Sequence, residues 1–166
     1  ILVLILLLAV SMLLVPMVCG GESWQGWVKV VEGGFNDASN HMLFSYTFFG
    51  DYLYVGTMNV ATGGEVWRTS DGVEWEKTIS NGFGYGRNHN VHGWLYEFNG
   101  KIYLVSSDAD PRYMTSTPKG FQLWVSDDGV EWSQIGENGF GNPNNFGGLL
   151  YRIADEYYLY TMNYVD

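Results

Sequence analysis

The chain has 166 residues, 17% of them aromatic, with 22 glycines and a formal net charge of −10. That length suits one modest domain, and the glycine- and aromatic-rich composition points to turn-rich β structure rather than helices. The acidity excludes a nucleic-acid partner, which needs a basic surface to displace counterions, and it argues against adhesion to an anionic membrane. A single cysteine excludes an internal disulfide and any multi-cysteine metal site.

Residues Ile1 to Val18 carry no charge and are aliphatic apart from Ser11 and Pro16. Such a run is marginal as a membrane span. An N-terminal hydrophobic helix of the signal-peptide kind, residues 1–20, fits better. Cleavage after Gly20, lipidation at Cys19 and retention as an anchor all stay open. Met17-Val18 lacks the small residue usual before a lipidated cysteine. Each outcome places the folded part outside the cytoplasm, secreted or anchored at the cell surface. The membrane is then touched only through this segment or a lipid on Cys19. The chain starts at Ile1 inside the apolar run and stops at Asp166 partway through a repeat, so the expectation is a fragment of a longer protein.

From Trp27 onward the sequence repeats. Trp27-Val28-Lys29-Val30-Val31 matches Trp75-Glu76-Lys77-Thr78-Ile79 and then Trp132-Ser133-Gln134-Ile135. Each is followed by a loop built on glycine and phenylalanine, at Gly33-Gly34-Phe35-Asn36, Asn81-Gly82-Phe83-Gly84 and Asn138-Gly139-Phe140-Gly141. Asn40-His41 matches Asn88-His89. The first full repeat holds four strand candidates, Met42–Phe48, Tyr52–Met58, Gly64–Thr69 and Glu74–Ile79. The second holds Val91–Phe98, Lys101–Ser106, Phe121–Ser126 and Glu131–Ile135. Hairpin turns fall at Gly50-Asp51, Asn99-Gly100 and Ala154-Asp155.

Four antiparallel strands per repeat of this length describe a β-propeller blade. The expected fold is all-β, a propeller fragment of four-stranded antiparallel blades over residues 27–166. It comprises an orphan last strand at Trp27–Val31, blades at about 36–79 and 84–135, and the start of another at 141–166. So few blades cannot close a ring of the usual 4–8, so further blades of the full-length chain are expected partners, with apolar faces exposed until they pack.

The two clearest hairpins are Thr69-Ser70-Asp71-Gly72-Val73-Glu74-Trp75 and, 57 residues later (Asp71 to Asp128), Ser126-Asp127-Asp128-Gly129-Val130-Glu131-Trp132. This resembles the Asp-box of BNR and sialidase-type propeller repeats, Ser/Thr-x-Asp-x-Gly-x-x-Trp, with one residue fewer between aspartate and glycine. Thr69, Asp71, Gly72 and Trp75, and Ser126, Asp128, Gly129 and Trp132, carry the match. In that family the box is a structural turn away from the active site. An Asp-Gly turn between two strands reads the same way, because aspartate bonds back to nearby backbone and glycine tolerates positive φ.

In a blade, loops between strands two and three, and between blades, share the face opposite the Asp-boxes. Three such loops stand out: Gly82–His92, Ser107–Lys119 and Gly141–Gly147. The second makes its repeat longer, since Ser106 to Trp124 spans 18 positions where Thr57 to Trp67 spans 10. Candidate ligand contacts are Arg87, Asn88, His89, His92, Asp108, Asp110, Arg112 and Tyr113. Tyr85, Trp94 and Tyr113 could stack on sugar rings, although Trp94 falls in a predicted inner strand. His41 and His89 read as matched packing residues, and His89-x-x-His92 lacks a third metal ligand. Asp108-x-Asp110 resembles the start of a calcium loop without the glycine and glutamate of an EF-hand. No cofactor is therefore expected beyond calcium as an open case.

The leading functional expectation is an exported or cell-surface module that recognises a glycan or protein through its loop-rich face. A sialidase-like glycoside hydrolase or lyase, with catalytic residues partly in further blades, is the alternative. A structural surface or adhesin repeat is the third. The resemblance implies an arginine triad, a tyrosine-glutamate pair and an acid-base aspartate for sialidase chemistry. No family motif surrounds Arg68, Arg87, Arg112 or Arg152, and no carboxylate pair can be assigned.

Overall fold

Asp-Gly and Asn-Gly turns divide the chain into antiparallel meanders. The computed structural model describes residues 23–24, 27–85, 92–108 and 118–164. The expected N-terminal helix and Cys19 lie outside them. No helix among the described residues is long and apolar enough to cross a membrane. Contacts divide the chain into two units, 1–30 and 31–166.

In the first unit, β1 (Ser23–Trp24) and β2 (Trp27–Val28) form a short antiparallel hairpin. This corrects the expectation of an orphan strand over Trp27–Val31: the strand is two residues long and pairs locally.

The second unit is all-β. Its first sheet runs in the order β3 (Asn40–Phe49), β4 (Tyr52–Asn59), β5 (Val66–Thr69) and β6 (Glu76–Ile79). The second repeats that order with β7 (His92–Phe98), β8 (Lys101–Ser107), β9 (Leu123–Ser126) and β10 (Ser133–Ile135). A two-stranded third sheet joins β11 (Asn145–Ile153) to β12 (Glu156–Asn163). Each four-stranded sheet has every neighbour antiparallel. The fourth strands start later than their tryptophans suggested. Trp75 and Trp132 belong to the turns, not to β6 and β10.

Apolar burial between successive sheets holds the second unit together. Tyr54, Val66, Ile79, Leu95, Ile102 and Leu104 form one core cluster, with Trp124 and Trp132 against it. Val105, Phe121 and Leu123 form the next, closed by Leu150 and Leu159 of the third sheet. Each fully buried side chain of this kind contributes roughly 1.5–3 kcal/mol. Ser45 ties the first two sheets at the edge of β7, donating to the Gly93 carbonyl at 2.8 Å and accepting from Leu95 N–H at 3.2 Å. Without it these edge groups would lack that partner.

The three glycine-phenylalanine loops share one unusual backbone. Phe35, Phe83 and Phe140 have φ of 62°, 57° and 52°, a left-handed conformation that costs energy for a bulky residue. Two of them repay it by stacking on the tryptophan of a following third strand. Phe35 lies on Trp67 at 4.5 Å and Phe83 on Trp124 at 4.9 Å. Phe140 meets Phe121 edge-on at 5.6 Å and stays 49% exposed.

Both Asp-Gly turns are closed by the same set of hydrogen bonds. Asp71 Oδ1 accepts from Val73 and Glu74 N–H at 2.8 and 2.9 Å, and Thr69 Oγ1 accepts from Gly72 N–H at 2.8 Å. Asp128 and Ser126 repeat these bonds with Val130, Glu131 and Gly129 at the same distances. The backbone donors hold the Asp71 and Asp128 carboxyls below the usual aspartate value of 3.8. A depressed folded pKa adds stability that is fully present above the unfolded value and is lost as the pH falls through the folded one. Asp128→Ala should therefore lower the melting temperature at pH 7, and the gap to wild type should close as the pH drops below about 4. Thermal melts at pH 7 and at pH 2–3 check this; a gap unchanged by acid would refute it.

Candidate functional site

The register of the hairpins equates positions across the three sheets. Met42 lies across from Met58, His92 from Ser107, and Gly147 from Met162. Asn88 and His89, matched in the sequence with Asn40 and His41, lie outside the described residues. Bulges in β3 shift the repeat, so that His92 is the equivalent of Met42. One residue beyond these pairs stand Asn59 and Asn163, the last residues of β4 and β12, and Asp108, which directly follows β8.

In the first sheet Asn59 is fully buried. It accepts from Ala61 and Thr62 N–H at 3.0 and 2.9 Å, and donates to Asn40 Oδ1 at 3.0 Å. In the third, Asn163 donates to Asn145 Oδ1 at 2.8 Å. Asn40 and Asn145 in turn donate to the Gly34 and Gly139 carbonyls of the left-handed loops. An asparagine pair thus closes the end of each of these two hairpins.

The second sheet departs from this pattern with Asp108, a buried carboxylate. Its Oδ2 accepts from Lys119 N–H at 2.8 Å and Gly120 N–H at 3.2 Å, and its own N–H donates to the Phe146 carbonyl of β11 at 2.7 Å. The carboxylate is therefore held by the main chain at Lys119 and Gly120, while the backbone of Asp108 is tied to the next sheet.

His92, Trp94, Ser107 and Asp108 line a cavity of about 390 Å³ with Phe146, Met162 and Tyr164 of the third sheet. Its walls are mostly aromatic. Phe44 stacks on His92 at 3.9 Å, Trp94 meets His92 edge-on at 5.1 Å, and Phe146 stacks on Tyr164 at 4.0 Å. Burial pushes the His92 imidazole down to about 4, so it is neutral at physiological pH. Its Nδ1 is buried with no hydrogen-bond partner. The size and the mix of aromatic walls with few polar groups suit a small ligand.

Of the expected contacts, the structure brings His92 and Asp108 together on this cavity, at the end of the sheets where the loops between strands two and three, and between repeats, emerge. Arg87, Asn88, His89, Asp110, Arg112 and Tyr113 lie outside the described residues. Among the described residues no cluster of three metal-ligating acidic, histidine or cysteine side chains occurs. Sequence reasoning missed Met162 and Tyr164. The signal for the site as a whole was a break in the repeat, where Asn59 and Asn163 flank Asp108, Met58 and Met162 flank Ser107, and Met42 and Gly147 flank His92.

No protein-family model matches the chain, and no curated protein matches it. Among solved structures it is similar to a thermostable family-43 glycoside hydrolase, with 15% identity and a TM-score of 0.44 over 70% of this chain and 39% of that one. It is also similar to the native arabinanase of Bacillus subtilis, with 16% identity and a TM-score of 0.45 over 72% of this chain and 48% of that one. A third is the endo-arabinase of Bacteroides thetaiotaomicron, with 17% identity and a TM-score of 0.42 over 61% and 36%. The chain spans less than half the length of each. Its two four-stranded sheets repeat one strand order.

Proposed function

We propose that the chain is part of a carbohydrate-active β-propeller that holds a sugar unit in the cavity beside Asp108. The single observation that carries this reading is the buried carboxylate at a position where the sheets on either side place asparagine. Asparagine fills this position in both, so the negative charge of Asp108 goes beyond what the other two sheets use there. A carboxylate on an aromatic-lined cavity can accept from sugar hydroxyls, and it can also serve as one of the two carboxyl groups of glycoside hydrolysis. The second carboxyl group would come from outside the described residues.

Hydrolysis ranks ahead of passive recognition for the same reason: recognition alone could use the asparagine already present in the repeat. Of the structures named above one is a glycoside hydrolase, one an arabinanase and one an endo-arabinase, and the proposal does not depend on them. The open faces support ring formation with further blades. Tyr46 and Phe48 are 71% and 67% exposed on the outer side of the first sheet, as are Tyr158 and Tyr160, at 51% and 61%, on the third. The equivalent faces inside the stack are covered by a neighbouring sheet. The placement outside the cytoplasm stays part of this proposal, resting on the apolar N-terminal run.

Asp108→Asn is the test, because asparagine is the residue the repeat itself uses there. Wild type and variant would be run on a panel of chromogenic glycosides beside a glycan array. Turnover by the wild type that falls roughly 10²–10⁴-fold in the variant, with the melting temperature kept, supports the hydrolase. Binding without turnover in both would return recognition to first place. Neither binding nor turnover by the wild type would sink the carbohydrate reading.

A further inference from the structure

We propose that His92 is a ligand-contacting residue of this cavity, offering a hydrogen-bond donor to a sugar hydroxyl next to the acceptor oxygens of Asp108. The inference rests on the carbohydrate reading above and adds a second named contact and its polarity.

Three observations converge on it. First, the fold does not require histidine at this position, since the equivalent residues are Met42 and Gly147. Second, the ring is fixed in place without any hydrogen bond. Phe44 stacks on one face at 14° between planes, and Trp94 stands edge-on at 88°. Third, Nδ1 is buried and unpartnered, which is a cost the fold carries with no structural return.

The polarity follows from the third observation. A buried orphan N–H is rarer than a buried orphan acceptor. The neutral ring therefore keeps its proton off Nδ1 and carries it on Nε2. Nε2 is the remaining polar atom, through which a cavity-lining imidazole can meet a ligand. A donor on His92 and an acceptor on Asp108 together match two neighbouring hydroxyls, each of which can both give and take a hydrogen bond.

His92→Phe isolates the claim. Phenylalanine keeps the ring contacts with Phe44 and Trp94 but removes both nitrogens. The melting temperature should rise by a few degrees as the orphan atom disappears. Affinity for the best neutral oligosaccharide found on the array, measured by calorimetry, should fall about tenfold or more. Equal affinity in wild type and variant would overturn the inference while leaving the carbohydrate reading intact. A fall in melting temperature would overturn the claim that His92 is an unsatisfied residue kept for a ligand. A wild type that binds no saccharide at all would remove both, and the Asp108→Asn assay would report that failure separately.

Discussion

Replacing Lys77 by glutamine should destabilise the protein by about 2–3 kcal/mol, and adding Glu65→Gln should restore most of that loss. Glu65 is a buried carboxylate on the first sheet. Its Oε1 accepts from Lys77 Nζ at 2.6 Å, and its Oε2 accepts from Asn40 Nδ2 and Trp67 Nε1, both at 2.9 Å. Lys77 also lies over the Trp67 ring at 4.8 Å. Removing the cation leaves a charge inside the protein with only neutral donors. Breaking one side of a buried pair typically costs about 3–5 kcal/mol. The lower figure expected here reflects the 36% exposure of the lysine side chain, where solvent screens part of the interaction.

The second sheet shows why the double replacement should recover. The residues equivalent to Glu65, Trp67 and Lys77 are Gln122, Trp124 and Gln134. There the Trp124 indole donates to Gln122 Oε1 at 3.3 Å, and Gln122 Nε2 donates to Gln134 Oε1 at 3.2 Å. The chain thus solves one packing problem twice, once with an ion pair and once with two amides. Denaturant unfolding of the two single variants and the double variant gives the coupling directly. If the double variant is no better than Lys77→Gln, the two solutions are not interchangeable and the equivalence fails.

Gly129→Ala should cost about 3 kcal/mol, while Gly100→Ala should cost only about 1 kcal/mol. Both glycines have left-handed φ, +75° and +71°, so both pay the same backbone penalty on gaining a Cβ. The surroundings differ. A Cβ on Gly100 meets nothing within 4 Å, whereas one on Gly129 would sit 1.9 Å from the Tyr54 hydroxyl and 2.4 Å from its Cζ. Tyr54 is fully buried in the neighbouring sheet, and its hydroxyl accepts from Arg68 Nη1 at 3.3 Å and donates to the Asp128 carbonyl at 3.4 Å. It cannot move aside without breaking that packing. Equal losses for the two alanine variants would show that the turn conformation alone explains Gly129, and that the contact between sheets adds nothing.

This last comparison marks where sequence reasoning stopped. Gly100 and Gly129 read alike in the sequence, each following a short polar residue and serving a tight turn between two strands. The turn chemistry was legible because it is local: Asp71 and Asp128 reach backbone donors only two and three residues away. The repeat was legible because each four-stranded sheet buries a similar pattern of tryptophan, tyrosine and aliphatic residues, which alternation in a strand records directly. The left-handed loops were visible as glycine-phenylalanine motifs. The stacking of Phe83 on Trp124, which holds them in that conformation, was not visible.

The candidate site divides along the same line. His92 and Asp108 could be selected from the sequence as polar residues at loop ends. Their shared cavity could not, because its walls Phe146, Met162 and Tyr164 come from the following sheet. Matching first-strand positions by letters alone fails for a related reason, and the register is what makes Met42 and His92 equivalent. A β-bulge adds a residue to one strand without changing its partner, so the alignment of letters slips while the hydrogen-bond register does not. By itself the sequence determined the all-β class, the four-strand repeat and its turns, since each depends on contacts within a few residues or on strand alternation. The tertiary structure alone decided which repeat positions face a neighbouring sheet. It also decided that Glu65 needs Lys77 where Gln122 takes Gln134, and that the buried carboxylate of Asp108 opens on a cavity. Those outcomes depend on how far one sheet is shifted against the next, and no local pattern carries that information.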